Sequence, residues 1–282
     1  MAHTTTVLLD DLCFPEGPRW HEGRLWFSDM HDHKVLAVGL DGQAEVIVEV
    51  PQQPSGLGWT GDGRLLVVSM LDRRLLRLDA GGLVEVADLS RLATCHCNDM
   101  VVDARGRAYV GNFGFDLHEE GYEFRHAEII LVEPDGRARV VADQLSFPNG
   151  TVITPDGRTL IVGESFAARF TAFAIEPDGS LTDRRDWAKC ESGTPDGICL
   201  DAEGAVWYAS PVSNECVRVA EGGRVLDRIP LARQAFACML GGPDRRTLFI
   251  ATAADSHPEH CRQARSGAIE IVTVDVPGAG LP

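Results

Sequence analysis

One pattern recurs six times along the chain: small turn residues, an apolar run, a Gly-containing hairpin turn and a second apolar run. The copies are EGPRWHEGRLWFSD from Glu16, SGLGWTGDGRLLVVS from Ser55, NDMVVDARGRAYVGN from Asn98, NGTVITPDGRTLIVGE from Asn149, DGICLDAEGAVWYAS from Asp196 and ACMLGGPDRRTLFIAT from Ala237. A period of about 40 to 50 residues suits four-stranded β units and exceeds the helical and leucine-rich repeats. Within most units a second hairpin follows, marked by LDG at Leu40, DAGG at Asp79, EPDG at Glu133, EPDG at Glu176 and AEGG at Ala220. Two hairpins make four strands, so the pattern predicts an all-β, six-bladed β-propeller with four antiparallel strands per blade.

Period-two alternation in VLAVGLDGQAEVIVEV and ILVEPDGRARVVAD supports strands rather than helices. The segment TTTVLLDDL precedes the first repeat and GAIEIVTVDV follows the last. Pairing the N- and C-terminal strands in one blade would close the ring and protect the edges that an open array exposes. Residues 1–282 are accordingly read as a single propeller domain.

Composition narrows the partners. Lys plus Arg total 26 against 42 Asp plus Glu, a net charge of -16, which repels a nucleic-acid backbone and an anionic membrane surface alike. The N-terminus MAHTTTVLLDDL lacks a basic, apolar leader, and no run is long enough to span a bilayer. The expectation is a cytoplasmic protein, monomeric or homodimeric, acting on a small molecule. Of the eight cysteines, several lie in apolar runs and none carries secretory context, so buried free thiols are expected. Cys95-His96-Cys97 lacks the second pair that a zinc site needs.

In a closed ring the loop before each innermost strand delivers a residue to one mouth of the axis, so equivalent repeat positions converge. In order they are Glu16, Ser55, Asn98, Asn149, Asp196 and a sixth near Ala237 or Cys238. Glu, Asn and Asp offer hard oxygen donors suited to a divalent ion, Ca²⁺ first, with Mg²⁺, Mn²⁺, Zn²⁺ or Fe²⁺ as alternatives. The competing reading makes Asn149-Gly150 and Asp196-Gly197 ordinary Asx-Gly turns. Their place before an inner strand, with a separate turn following, argues against it.

The ordered set FPEGPRW with LWFSD, CNDMVVDARGRAYVGN, FPNGTVITPDGRTLIVGES, TPDGICLDAEGAVW and GGPDRRTLFIAT resembles the senescence marker protein / gluconolactonase family, which includes regucalcin and bacterial sugar lactonases. The resemblance implies a metal-dependent lactonase with one divalent cation on Glu16, Asn149 and Asp196. It further implies that Asn98 contacts substrate. Family members often carry Arg two residues before that Asn; here His96 stands there, which sets sugar specificity apart from the rest of the resemblance. Water would add to a carbonyl polarised by the metal, with Asp196 moving the proton and Asn98 donating a hydrogen bond.

The segment from Asn112 to Glu128 is a long connection rich in aromatic, acidic and His residues, a candidate lid or substrate wall through Phe113, Phe115 and His118. His31-x-His33 falls on another repeat phase and is assigned a surface or channel-lip role, and His257-x-x-His260 reads as loop-borne, solvated histidines; neither enters the ligand set. Ser165 lacks the context of a nucleophilic serine. Two other functions fit the same pattern: a phosphotriesterase or arylesterase of the fluorophosphatase/paraoxonase type, and a non-catalytic calcium-binding or interaction propeller.

Overall fold

The computed structural model describes residues 3–282. Six four-stranded antiparallel sheets form the blades of a propeller. The innermost strands run Pro15–His21, Pro54–Trp59, Cys97–Val102, Pro148–Ile153, Ile198–Leu200 and Gln234–Gly241. The second strands end at Asp29, Ser69, Asn112, Glu164, Ser210 and Ala253. Both faces of these inner strands meet another blade, which is why they read as near-continuous apolar runs; every residue of Leu65–Ser69 is buried.

Ring closure follows the expected route. Thr6–Leu12 pairs antiparallel with Gly267–Thr273, with Thr6 opposite Ile271 and Leu12 opposite Gly267. The sixth blade thus joins three late strands to one early strand. All eight cysteines are free; Cys95 and Cys190 are half-buried and the other six buried. A short helix, Pro258–Ala264, crosses the upper side of the sixth blade. No helix among the described residues is long and apolar enough to cross a membrane.

The feature that positions the site is a break in register just inside the inner strands. Pairing slips between Glu16 and Arg19, Pro54 and Leu57, Cys97 and Met100, Pro148 and Thr151, and Ala235 and Ala237. Such bulges re-aim one side chain out of the sheet, here toward the axis. The sixth equivalent position is therefore Phe236 rather than Ala237 or Cys238, because Ala235 opposite Thr252 matches Pro54 opposite Ser69.

At the residue after each bulged position, neighbouring backbones nearly touch. A Cβ on Gly56 would stand 2.4 Å from Met100 N, and one on Gly150 2.4 Å from Ile198 N. The contact is backbone to backbone, so no side chain can yield. Gly150→Ala is expected to cost about 1–3 kcal/mol of stability, the usual penalty of overpacking, read as a lower urea midpoint. An unchanged midpoint would show that the ring breathes at this point.

Candidate metal centre and substrate cavity

Glu16, Asn98, Asn149 and Asp196 line one cavity of about 340 Å³ at the mouth where the inner strands begin. His96, Phe113 and His118 line it as well. Phe115 does not: it is buried behind the wall, stacked on Tyr122 at 4.9 Å and set against Phe166 at 5.1 Å. The long connection therefore forms one side of the cavity through Phe113, Asp116, Leu117 and His118, with Phe115 as its anchor. His31, assigned from sequence to the surface or lip, is buried in this wall and stacks on Phe14.

The polar floor is a chain of neighbours. Ser55 Oγ donates to Asn98 Oδ1 at 3.3 Å, Asn98 Nδ2 to Asn149 Oδ1 at 3.3 Å, and Asn149 Nδ2 to Ser165 Oγ at 3.3 Å. Ser165 Oγ in turn donates to Pro195 O at 2.7 Å. Ser165 thus links Asn149 to the segment bearing Asp196, a positioning contact rather than a nucleophile. The three 3.3 Å contacts are long for hydrogen bonds, so the amides are only loosely committed to each other.

The carboxylates are in electrostatic conflict. Burial first, then the Asp196 carboxylate, hold Glu16 well above the usual carboxylate range. Burial first, then Asp99, push Asp196 up to about 8, with the Asn149 amide partly offsetting them. Asp196 Oδ1 is buried and accepts no hydrogen bond among the described residues. Two enclosed carboxylates with an orphaned oxygen and amides alongside are a donor set that a divalent cation fits. Among the described residues no group of three or more His, Cys, Asp or Glu is placed to hold an ion; the candidate set here has two carboxylates and takes its remaining oxygen from an amide.

Asp99 occupies the ring position that is glycine in four other blades, and its charge is answered from below. Arg19, buried, pairs with Asp99 and also donates to Met100 O at 2.6 Å, Leu57 O at 3.1 Å and Pro18 O at 2.8 Å. Its guanidinium is thereby engaged on every side, beneath the floor. The Arg19–Asp99 pair went unread in the sequence, although Asp99 in place of the recurring Gly was its visible signal.

The other wall is apolar: Phe14, Met30, Met70 and Phe236 form one cluster with Phe113 packed against it. Met30, Met70, Phe113 and Ser165 each follow directly on a second strand, in SDM, VSM, GNF and GES. That shared phase was the signal for the wall, and the inner-strand positions alone did not reveal it. The polar residue ending the strand fixes the loop; Asp29, for instance, accepts from Cys13 N at 3.0 Å and Phe14 N at 2.7 Å.

A six-bladed propeller with a carboxylate-floored cavity at one axial mouth is the class of protein that this geometry defines. The chain belongs to the SMP-30/Gluconolactonase/LRE-like family, whose profile matches residues 14–254. It is 28% identical to a 6-deoxy-6-sulfogluconolactonase of Pseudomonas putida over 66% of this chain and 64% of that one, slightly less than two thirds of the relative's length. It is 26% identical to a pentonolactonase of Haloferax volcanii over 99% of this chain and 97% of that one. Among solved structures, a gluconolactonase of Xanthomonas campestris superposes with a TM-score of 0.77 at 26% identity, covering 98% of this chain and 90% of that one.

The raised Asp196 pKa has a thermodynamic consequence. With a value of about 8 folded against an ordinary 3.8, the folded cation-free protein binds more protons than the unfolded chain between those limits. Its stability therefore falls as pH rises from about 4 to about 8. Asp196→Asn removes part of that slope, and in chelator at pH 8 it should raise Tm by roughly 5 °C. Thermal scans at pH 5 and pH 8 measure both; a lower Tm for the variant at pH 8 would mean that the carboxylate is satisfied without a cation.

Proposed function

We propose that the protein is a lactone hydrolase that uses one divalent cation held by Glu16, Asn149 and Asp196, calcium being the ion best matched to these oxygen donors. The observation that carries the reading is the pair of enclosed carboxylates, Glu16 and Asp196, beside the orphaned Asp196 Oδ1 in the axial cavity. Relatives named as lactonases, one aligned over nearly the whole chain, support the lactone as substrate.

When bound, the cation would supply a Lewis acid for the lactone carbonyl and neutralise the paired carboxylates. The remaining work falls to side chains. A carboxylate has two oxygens, so Asp196 can serve the ion through one and accept a proton from the attacking water on the other. Water adds to the carbonyl carbon, the ring C–O bond breaks, and the proton returns to the alkoxide, leaving a hydroxy acid. Asn98 donates from Nδ2 to the substrate; its present contacts to Asn149 Oδ1 at 3.3 Å and Pro148 O at 3.4 Å are long enough to be exchanged. Phe14 and Phe113 keep bulk water from one side, which strengthens each polar contact.

Glu16→Ala and Asp196→Ala are expected to remain folded, to lose stoichiometric cation binding in calorimetry and to lower lactone turnover at least about 100-fold. Either variant keeping full, cation-independent turnover ends the proposal. Because the ion must displace protons from raised carboxylates, binding should release protons and weaken as pH falls below about 8. Titrations in buffers of different ionisation enthalpy measure the release; affinity unchanged from pH 8 to pH 6 would exclude these carboxylates as ligands.

A further inference from the structure

The cavity that would hold the lactone is built on one side for something other than sugar hydroxyls. Among the described residues no Lys or Arg lines it, and the guanidinium below, Arg19, is spent on Asp99 and three backbone carbonyls. A phosphate, sulfonate or carboxylate on the substrate would find no cationic partner beyond the ion itself, in a protein of net charge -16. Anionic lactones are therefore disfavoured.

Hydroxyl recognition is also poorly provided for. Gln53 Nε2 and His31 Nδ1 are bonded to each other at 3.1 Å, and His31 Nε2 is bonded to Ser256 O at 3.1 Å. Burial keeps His31 neutral, its pKa lowered to about 4. One Asp116 oxygen accepts from His118 N at 2.9 Å and so holds the loop. Above the floor, His96, His118 and Ser256 are the remaining polar side chains, and each histidine presents a ring face as well as a nitrogen. Each hydroxyl buried without a partner weakens binding, so a polyhydroxylated ring fits badly.

What the wall does offer is apolar surface that continues from depth to rim. Met30 and Met70 are buried in it, Phe113 stacks on Phe147 at 4.5 Å, and Leu71 and Leu117 finish it at the mouth. Thioether and aromatic side chains adapt to alkyl and aryl groups alike. Leu71 is 37% exposed, an apolar residue kept at the opening.

Resting on the lactonase reading, we propose that the substrate is a neutral lactone carrying an alkyl or aryl substituent. The ring lies over Glu16, Asn98, Asn149 and Asp196, and the substituent packs along Met70, Leu71 and Phe113. The substituent supplies binding energy that a sugar lactone would have to draw from hydroxyl contacts, which above the floor are few.

The test is a pH-stat series on the cation-loaded protein using γ-butyrolactones with n-alkyl chains from methyl to pentyl, dihydrocoumarin and D-glucono-δ-lactone. The value of kcat/KM should rise about fourfold per methylene over the first few carbons, and gluconolactone should fall at least about tenfold below the pentyl compound. Leu71→Asn, at the exposed rim, should flatten the chain-length dependence. A parallel readout needs no turnover: 2-alkylcyclopentanones titrated calorimetrically into chelator-treated protein should bind more tightly with chain length and with a negative heat-capacity change. Preference for gluconolactone, or a flat series, would overturn the inference and leave the lactonase standing. Ketone binding with no lactone turned over under any divalent ion would instead overturn the lactonase reading, and this inference with it.

Discussion

Everything at the axial mouth depends on how closely the inner strands of adjacent blades approach. Where Gly56 faces Met100 N and Gly150 faces Ile198 N, an added Cβ would sit 2.4 Å from backbone. Such contact leaves no room for a side chain on either glycine. The bulged residue immediately before it must turn toward the axis, in blade after blade. Convergence of Glu16, Asn98, Asn149 and Asp196, widely separated in sequence, is thus a steric result of ring packing, with no attraction among them required. Their mutual electrostatics is in fact unfavourable, as the raised Glu16 and Asp196 pKa values express.

The fold tolerates that conflict because it resolves a neighbouring one. Asp99 takes a place given to glycine elsewhere in the ring, and Arg19 meets its charge with a buried ion pair and three carbonyl contacts. Buried pairs of this kind are costly to break from one side, about 3–5 kcal/mol. Arg19 is therefore a fixed part of the axis. One layer higher, Glu16 and Asp196 have no such partner among the described residues: the backbone bond to Glu16 there is the N–H of its own neighbour Gly17 at 3.0 Å. The proposed cation would sit at this upper level, beside Glu16 and Asp196.

The legible part of this architecture was what repeats. Strand count, hairpin positions, ring closure and the phase of the bulged residues all follow from local periodicity, since each blade uses the same turn chemistry. The sixth axial position was misplaced by one or two residues because the register slip that selects Phe236 lies in the backbone pairing, invisible in an apolar run such as AFACML. His31 was assigned to the rim for a similar reason. Its burial comes from a short turn, Met30–Asp32, that folds back under Phe14 and the Ser256 carbonyl. Phe113 and Phe115 are alike in sequence, yet one faces the cavity and the other the protein, because Asn112 Oδ1 accepts from Gly114 N at 3.0 Å and turns the chain between them. Contacts that belong to a single blade leave no repeated trace.

The two ends of the axis are consequently different in kind. At the lower end, residues 277–282 cross three blades in an extended strap: Gly278 N donates to Arg245 O at 2.8 Å, Ala279 N to Leu200 O at 2.9 Å, and Leu281 N to Ile153 O at 2.9 Å. Above this strap lies the Arg19–Asp99 layer, whose guanidinium donors are engaged by Asp99 and three backbone carbonyls. At the upper end the connections are longer and irregular, with the 113–126 segment and the Pro258–Ala264 helix leaning over the cavity. Blade-to-blade contact is confined by ring closure, whereas these upper connections are freer to vary with what is bound. Met70, Leu71 and Phe113, at the ends of second strands, sit where the constraint of closure has just been released and where side chains can be matched to a ligand.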